Sequence, residues 1–164
     1  MEDDGAALAI DFRKRSDAEI YSEHAVELVQ FATVLVGPGD AQDVVSSAVL
    51  RSLGSPGWRQ VRNHRSYLYK AVANEARNLY RSESRRRNRE VRMSEPIVVY
   101  LPELRPEVQQ AVDRLSVRQR AVVYLTYWED MTDQMAADYL GISAGSVRRH
   151  LARARDHLRK ALYD

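Results

Sequence analysis

The sequence predicts an all-α protein made of two small helical domains joined by a linker. Three observations carry that expectation. Apolar residues recur at steps of three and four along most of the chain, the period of a helix with one buried face. Only seven Gly and five Pro interrupt 164 residues, which leaves room for long helices. The stretch Thr132 to Lys160, TDQMAADYLGISAGSVRRHLARARDHLRK, reads as two helices joined by a tight turn.

The elements follow in order. Residues 1–16 are polar and mixed in charge and form a tail leading into a helix. From Asp17 to Val36, the positions Ile20, Tyr21, Ala25, Leu28, Val29, Ala32 and Val36 keep helical spacing. Gly37-Pro38-Gly39 ends that helix, and Asp40 is the expected cap of the next, which runs to about Leu53. Its buried face is Val44, Val45, Ala48, Val49 and Ser52. Gly54 to Gly57 is a loop, and Trp58 to Arg65 is basic with an aromatic residue. Ser66 is the expected cap of a long helix through about Ser82, with Leu68, Val72, Ala76 and Leu79 inward. A linker occupies 84–104, where Arg85 to Arg89 is a charge run and Pro96 and Pro102 interrupt any helix. Ile97 to Tyr100 is a short apolar run inside it.

The second unit, 105–164, begins with a short helix from Pro106 carrying Val108, Ala111, Val112 and Leu115. Ser116 caps the next, with Arg118, Ala121, Val122, Leu125 and Trp128 leading to the last two helices. Thr132 caps a helix expected to bury Met135, Ala136, Tyr139 and Leu140. Gly141 supplies the left-handed residue that ends it, and Ile142 plugs the gap to the next helix. Ser143 caps the last helix, whose apolar stripe is Val147, Leu151, Ala154, Leu158 and Leu162. Its other face shows Ser146, Arg148, Arg149 and Arg153. One apolar face opposite small, polar and basic first turns is the pattern of a helix-turn-helix with a recognition helix. Ala144 and Gly145 let its N-terminus approach a phosphate or a base edge.

Composition narrows the class. Apolar residues make up 45% and there is no cysteine, so modest cores are expected without disulfides or thiolate metal sites. Nothing resembles a signal peptide or a membrane span, so a soluble, cytoplasmic protein with no membrane insertion is expected. The net charge of +2 says little, but its distribution is uneven. Acidic residues crowd the first forty positions, and arginines crowd 81–92 and 148–159. The histidines, His24, His64, His150 and His157, show no recognised metal spacing, so no cofactor, metal site or enzyme is expected.

The run from Leu115 to Leu162 resembles region 4 of the bacterial sigma-70 family, in its extracytoplasmic-function type. The resemblance rests on Leu-Gly-Ile-Ser at 140–143, Gly-Ser-Val-Arg at 145–148 and Leu-Ala-Arg-Ala-Arg at 151–155. The first unit, 17–83, is similar to region 2 of the same family. Asp40-Ala41-Gln42-Asp43-Val44-Val45 stands where the family has Asp-x-x-Asp-Leu-Val. Tyr67-Leu68-Tyr69-Lys70-Ala71-Val72-Ala73-Asn74 stands where it has Trp-Leu-x-x-Ile-Ala-x-Asn. Ser46-Ser47 replace the usual Gln-Glu, and Tyr67 replaces the usual Trp.

The resemblance implies an alternative sigma factor. Its partners would be core RNA polymerase, through the β′ clamp helices and the β flap, together with promoter DNA and an anti-sigma factor. Ser143, Ser146, Arg148, Arg149 and Arg153 would read the −35 element. Arg62, Asn63, His64, Asn74, Arg77, Tyr80 and Arg81 would serve melting of the −10 element, where unstacking costs on the order of a few kcal/mol. Asp40, Asp43, Val44 and Ser47 would dock on polymerase. The rival reading is a helix-turn-helix regulator that binds operators without acting as a sigma subunit; binding to core polymerase separates the two.

Overall fold

The structure is a computed structural model that describes residues 15–83 and 104–163. The tail before Arg15, the Arg85 to Arg89 run, the Ile97 to Tyr100 run and both linker prolines lie outside the described residues. Those residues form seven α-helices, one 3-10 turn and no strand. No helix among them is long and apolar enough to cross a membrane.

The first unit holds three helices: α1 (Asp17–Val36), α2 (Pro38–Leu53) and α3 (His64–Glu83). Ser16 caps α1 through a capping box with Glu19. Gly37, at φ 85°, turns the chain, and α2 starts at Pro38. Asp40 therefore sits in the first turn of α2 instead of capping it. Pro38 needs no amide partner at a helix start and its fixed φ suits that position, so the helix begins three residues earlier than expected, at Pro38 instead of Ala41. The same correction applies to α3. Asn63 accepts from the Ser66 amide at 2.9 Å, so the helix starts ahead of Ser66. Between them the 3-10 turn Trp58–Gln60 buries Trp58, whose Nε1 donates to Asp17 Oδ1 at 2.8 Å. That bond ties the loop to the start of α1.

The second unit holds α4 (Pro106–Asp113), α5 (Val117–Tyr127), α6 (Asp133–Leu140) and α7 (Ala144–Tyr163). Ser116 caps α5 with Gln119 in a capping box, and Thr132 caps α6. Gly141 closes α6 at φ 64° and ψ 38°, the left-handed conformation that a side chain resists. Val147, Leu151 and Ala154 are buried as the stripe predicts. Leu158 is half-buried and Leu162 exposed, because the last turns of α7 run past the packed unit. Met135 is exposed and Met131 is buried in its place, because α6 turns Ala136, Ala137 and Leu140 inward.

The two units share one buried cluster. Helix α1 packs on α5, and α3 packs on α5 and α6. Phe31 of α1 is fully buried between Tyr69 of α3 and Tyr124 of α5, with ring centroids 4.8 and 5.4 Å away. Aromatic pairs at such separations add to what their burial contributes.

Candidate nucleic-acid interface

The helix-turn-helix presents an open basic face. The Ser143 hydroxyl accepts from the Ser146 amide at 3.1 Å, and it also donates to Ser146 Oγ at 3.0 Å. Arg149 Nη2 donates to Ser146 Oγ at 2.9 Å. These bonds line up three polar side chains along the first turns of α7. Arg148 reaches Asp133 at 3.6 Å, a long and exposed pair worth little. Arg148, Arg149 and Arg153 are all exposed. His150, beside them, is held below the ordinary histidine value by burial and then by Arg118, Arg153 and Arg149. Ser143, Ser146 and Arg149 are thus brought together along the first turns of α7, whereas Arg148 turns toward Asp133 of α6 and Arg153 stands exposed further along the helix. A side chain at Gly145 would meet only ordinary contacts, the nearest at 3.8 Å, so packing does not require a glycine there.

The seven residues expected around a melted strand divide. Arg62 is exposed in the loop before α3, while Asn63 spends its carbonyl on the Ser66 amide as a cap. His64 packs edge-on against Trp58 at 4.8 Å beside an open hollow of about 430 Å³. Burial, then Arg15, lowers its pKa. Asn74, Arg77 and Tyr80 lie further along α3, on the side that meets the second unit. Arg81 follows them and is exposed. Burial and then Arg118 and Arg81 disfavour the charge on Arg77. The Tyr80 hydroxyl accepts from Arg120 Nη2 at 2.6 Å. The expected strand-binding set is therefore split between the loop and the inter-unit seam.

Three of the four residues expected to meet polymerase line one groove between α2 and α3. Asp43, Val44 and Ser47 border a space of about 260 Å³, with Glu75 and Asn78 opposite. Asp43 is exposed, Ser47 half-buried and Val44 buried, so Val44 forms the floor of this groove. Asp40 is half-buried in the first turn and stands apart from it. Its negative charge there complements the helix N-terminus.

Two arginines at the seam were not anticipated. Arg65 Nη2 donates to Glu129 Oε2 at 2.7 Å, and its Nε donates to Glu27 Oε2 at 2.8 Å. Its Nη1 donates to the Tyr139 hydroxyl at 3.0 Å. One guanidinium thus joins α1, α6 and the loop after α5. The Glu27 hydrogen bonds push the Arg65 pKa up against the effect of burial, and Glu129 and Tyr139 reinforce them. Arg120 is buried, stacks over Tyr80 at 5.1 Å and donates to the Leu115 carbonyl at 3.2 Å. A sequence signal for both existed. Arg65 keeps register with Leu68, Tyr69 and Val72, and Arg120 with Val117, Ala121 and Tyr124. An arginine at an apolar register position needs a buried partner.

No group of three or more His, Asp or Glu among the described residues is placed to hold a metal ion.

Comparison with known proteins places the sequence and the fold among relatives. Residues 105–158 match the family described as Sigma-70, region 4. The RNA polymerase sigma-E factor of Streptomyces antibioticus is 33% identical, over 76% of this chain and 72% of the relative. That of Streptomyces coelicolor is 32% identical, over 76% and 73%. Among solved structures, the sigma factor RpoE of Bartonella quintana, in complex with the anti-sigma factor NepR, superposes with a TM-score of 0.62. It is 20% identical, over 86% of this chain and 94% of that one. CnrH in complex with the cytosolic domain of CnrY superposes with a TM-score of 0.59 at 22% identity, over 89% and 86%. The fold is thus shared across both units, and the sequence likeness extends beyond the helix-turn-helix. The chain belongs to the sigma-70 family of RNA polymerase sigma factors, in its extracytoplasmic-function type.

Proposed function

We propose that this chain is an alternative sigma factor that binds core RNA polymerase and directs promoter recognition and transcription initiation. One observation carries the reading: the likeness to the sigma-E relatives spans three quarters of the chain, which is more than the helix-turn-helix alone. Residues 17–83 are then region 2, 84–104 the linker and 105–164 region 4. Ser143, Ser146, Arg148, Arg149 and Arg153 read the −35 element in the major groove, where arginine paired to guanine is the commonest specific contact. Arg62, His64, Asn74, Arg77, Tyr80 and Arg81 hold the melted −10 strand by stacking and phosphate neutralisation, and Asn63 shapes the loop that presents them. The groove floored by Val44 and edged by Asp43 and Ser47 receives the β′ clamp helices. The apolar hollow of about 210 Å³ beside exposed Tyr127 and Trp128 suits the β flap.

The role is binding, without a catalytic group of its own, and it is exercised in the cytoplasm with polymerase. The solved relatives bound to anti-sigma partners motivate the same class of regulator here. Co-purification tests the reading. The parent should hold core RNA polymerase, and Asp43→Arg should lose it while helical content stays unchanged. Equal binding by Asp43→Arg would move the anchor elsewhere, and no binding by the parent would favour the plain regulator.

A further inference from the structure

We infer that Arg65 is an intramolecular latch: through Glu129 it holds the two units closed over the strand-binding side of α3, and productive binding to polymerase has to break it. The inference rests on the proposed reading of α3 as the −10 face.

Geometry at both ends of the seam supports it. At one end, Arg65 is fixed to its own unit by Glu27 and reaches across to Glu129 at 2.7 Å and Tyr139 at 3.0 Å. Arg65, Glu27 and Glu129 keep 29%, 24% and 18% of their side chains exposed. Charged hydrogen bonds that are partly shielded from water are stronger than surface pairs and hold specific geometry. At the other end, α5 lies over α3. Asn74 and Arg77 face Val117 and Arg118 across a crevice whose free space is about 10 Å³. That is at most about one water, so no nucleotide enters while the units are closed. Arg120 occupies the Tyr80 hydroxyl at 2.6 Å and stacks on its ring.

The two ends pull in opposite directions. Arg77 and Arg118 repel across the seam, and that repulsion adds to burial in disfavouring the Arg77 charge. A carboxylate latch therefore keeps a like-charged pair together. A nucleic-acid backbone entering between the opened units would neutralise both arginines, so strand binding favours the open form. The aromatic contact of Phe31 with Tyr124 adds apolar burial to the closed form, and Arg65–Glu129 is an ion pair across the seam that a competing charged surface can capture.

The chain lacks cysteine, so one introduced thiol reports opening even when the open form is rare. Ala121 on α5 borders the crevice and is 1% exposed, and Ala48 on α2 is equally buried inside the first unit. Thiol labelling would be followed in Ala121→Cys and in Ala48→Cys, each with and without Glu129→Gln. The latch predicts labelling at position 121 about tenfold faster with Glu129→Gln, the scale of one charge-assisted hydrogen bond, and an unchanged rate at position 48. Tyr139→Phe should act in the same direction by a smaller factor. An unchanged rate at 121, or an equal rise at 48, overturns the latch. Adding core RNA polymerase to Ala121→Cys should also speed labelling; bound polymerase that leaves the rate unchanged or slower overturns it too. A chain that does not bind polymerase at all defeats the proposed function instead, and labelling of the free protein still decides whether the latch exists.

Discussion

Phe31 of the first unit lies against Tyr124 of the second, with ring centroids 5.4 Å apart and both residues buried. The contact makes the folding of one unit depend on the other. Removing a buried aromatic side chain costs about 3–5 kcal/mol. The two tryptophans sit in different units, Trp58 before α3 and Trp128 at the end of α5, so each reports its own unit. In single-tryptophan variants of the parent, the denaturant transitions seen by Trp58 and Trp128 should coincide. Phe31→Ala should shift both to lower denaturant and separate them. Coincident, unshifted transitions in Phe31→Ala would show that the seam contributes nothing to stability.

Gly141 carries the turn of the helix-turn-helix. Its φ of 64° costs a non-glycine residue roughly 1–2 kcal/mol, and a Cβ there would stand 2.6 Å from Lys70 Cε. Lys70 is flexible and can move aside, so backbone strain is the larger cost. Gly141→Ala should lose about 1–2 kcal/mol in chemical denaturation, and Gly141→Asn should lose less because asparagine tolerates this conformation. Adding Lys70→Ala to Gly141→Ala should recover little. Full recovery would assign the cost to the clash.

Much of this architecture was legible because it is written in local chemistry. Ser116, Thr132 and Ser143 cap the helices they precede, and Gly141 ends one, since each acts on amides or carbonyls a few residues away. Leu68, Val72, Ala76 and Leu79 keep a period that any partner surface would satisfy. The seam was not legible. Phe31 on α1 completes its burial against Tyr124 of α5, a contact between units that the period of α1 does not encode. The partners of Arg65 lie 38 and 64 residues away, a pairing that periodicity does not encode. Asn63 was expected to meet DNA; its type and position, three residues before the Ser66 amide, equally fit the cap it provides.

Arg149 stands in the second turn of α7 with Ser146 steadying its guanidinium at 2.9 Å. If it makes a bidentate contact to a base, Arg149→Ala should weaken promoter binding by roughly 1–3 kcal/mol and relax preference at one −35 position. Competition binding against a set of single-base −35 variants measures this. A uniform loss across all sequences with a shallower salt slope would reassign Arg149 to a phosphate.

Ionisation at the seam gives the fold a defined alkaline limit. Burial, then the Glu27 and Glu129 charges, pushes the Tyr69 phenol well above its ordinary value of 10.0. Burial and Glu129 do the same to Tyr124. A raised folded-state pKa means that the neutral phenol supports the fold fully below 10.0 and that this support is lost as pH rises above it. The melting temperature should therefore fall as pH passes above the ordinary phenol value, and Tyr69→Phe should flatten part of that fall. At the acid end, burial alone would raise Glu27, but Arg65 and His24 outweigh it and hold its pKa below 4.5. Its contribution is present above that value and is lost as pH drops through and below it, so Glu27→Gln should lower stability near neutrality and flatten the acid limb.

The central claim is that this chain gives core polymerase its promoter choice. The most direct measurement is transcription in vitro from a genomic DNA template by core RNA polymerase with and without the protein, with transcript 5′ ends mapped. The account predicts a small set of defined starts that appear only with the protein, share upstream −35 and −10 sequences, and disappear with Asp43→Arg. Binding to DNA without any new start, or identical starts from core alone, would contradict it.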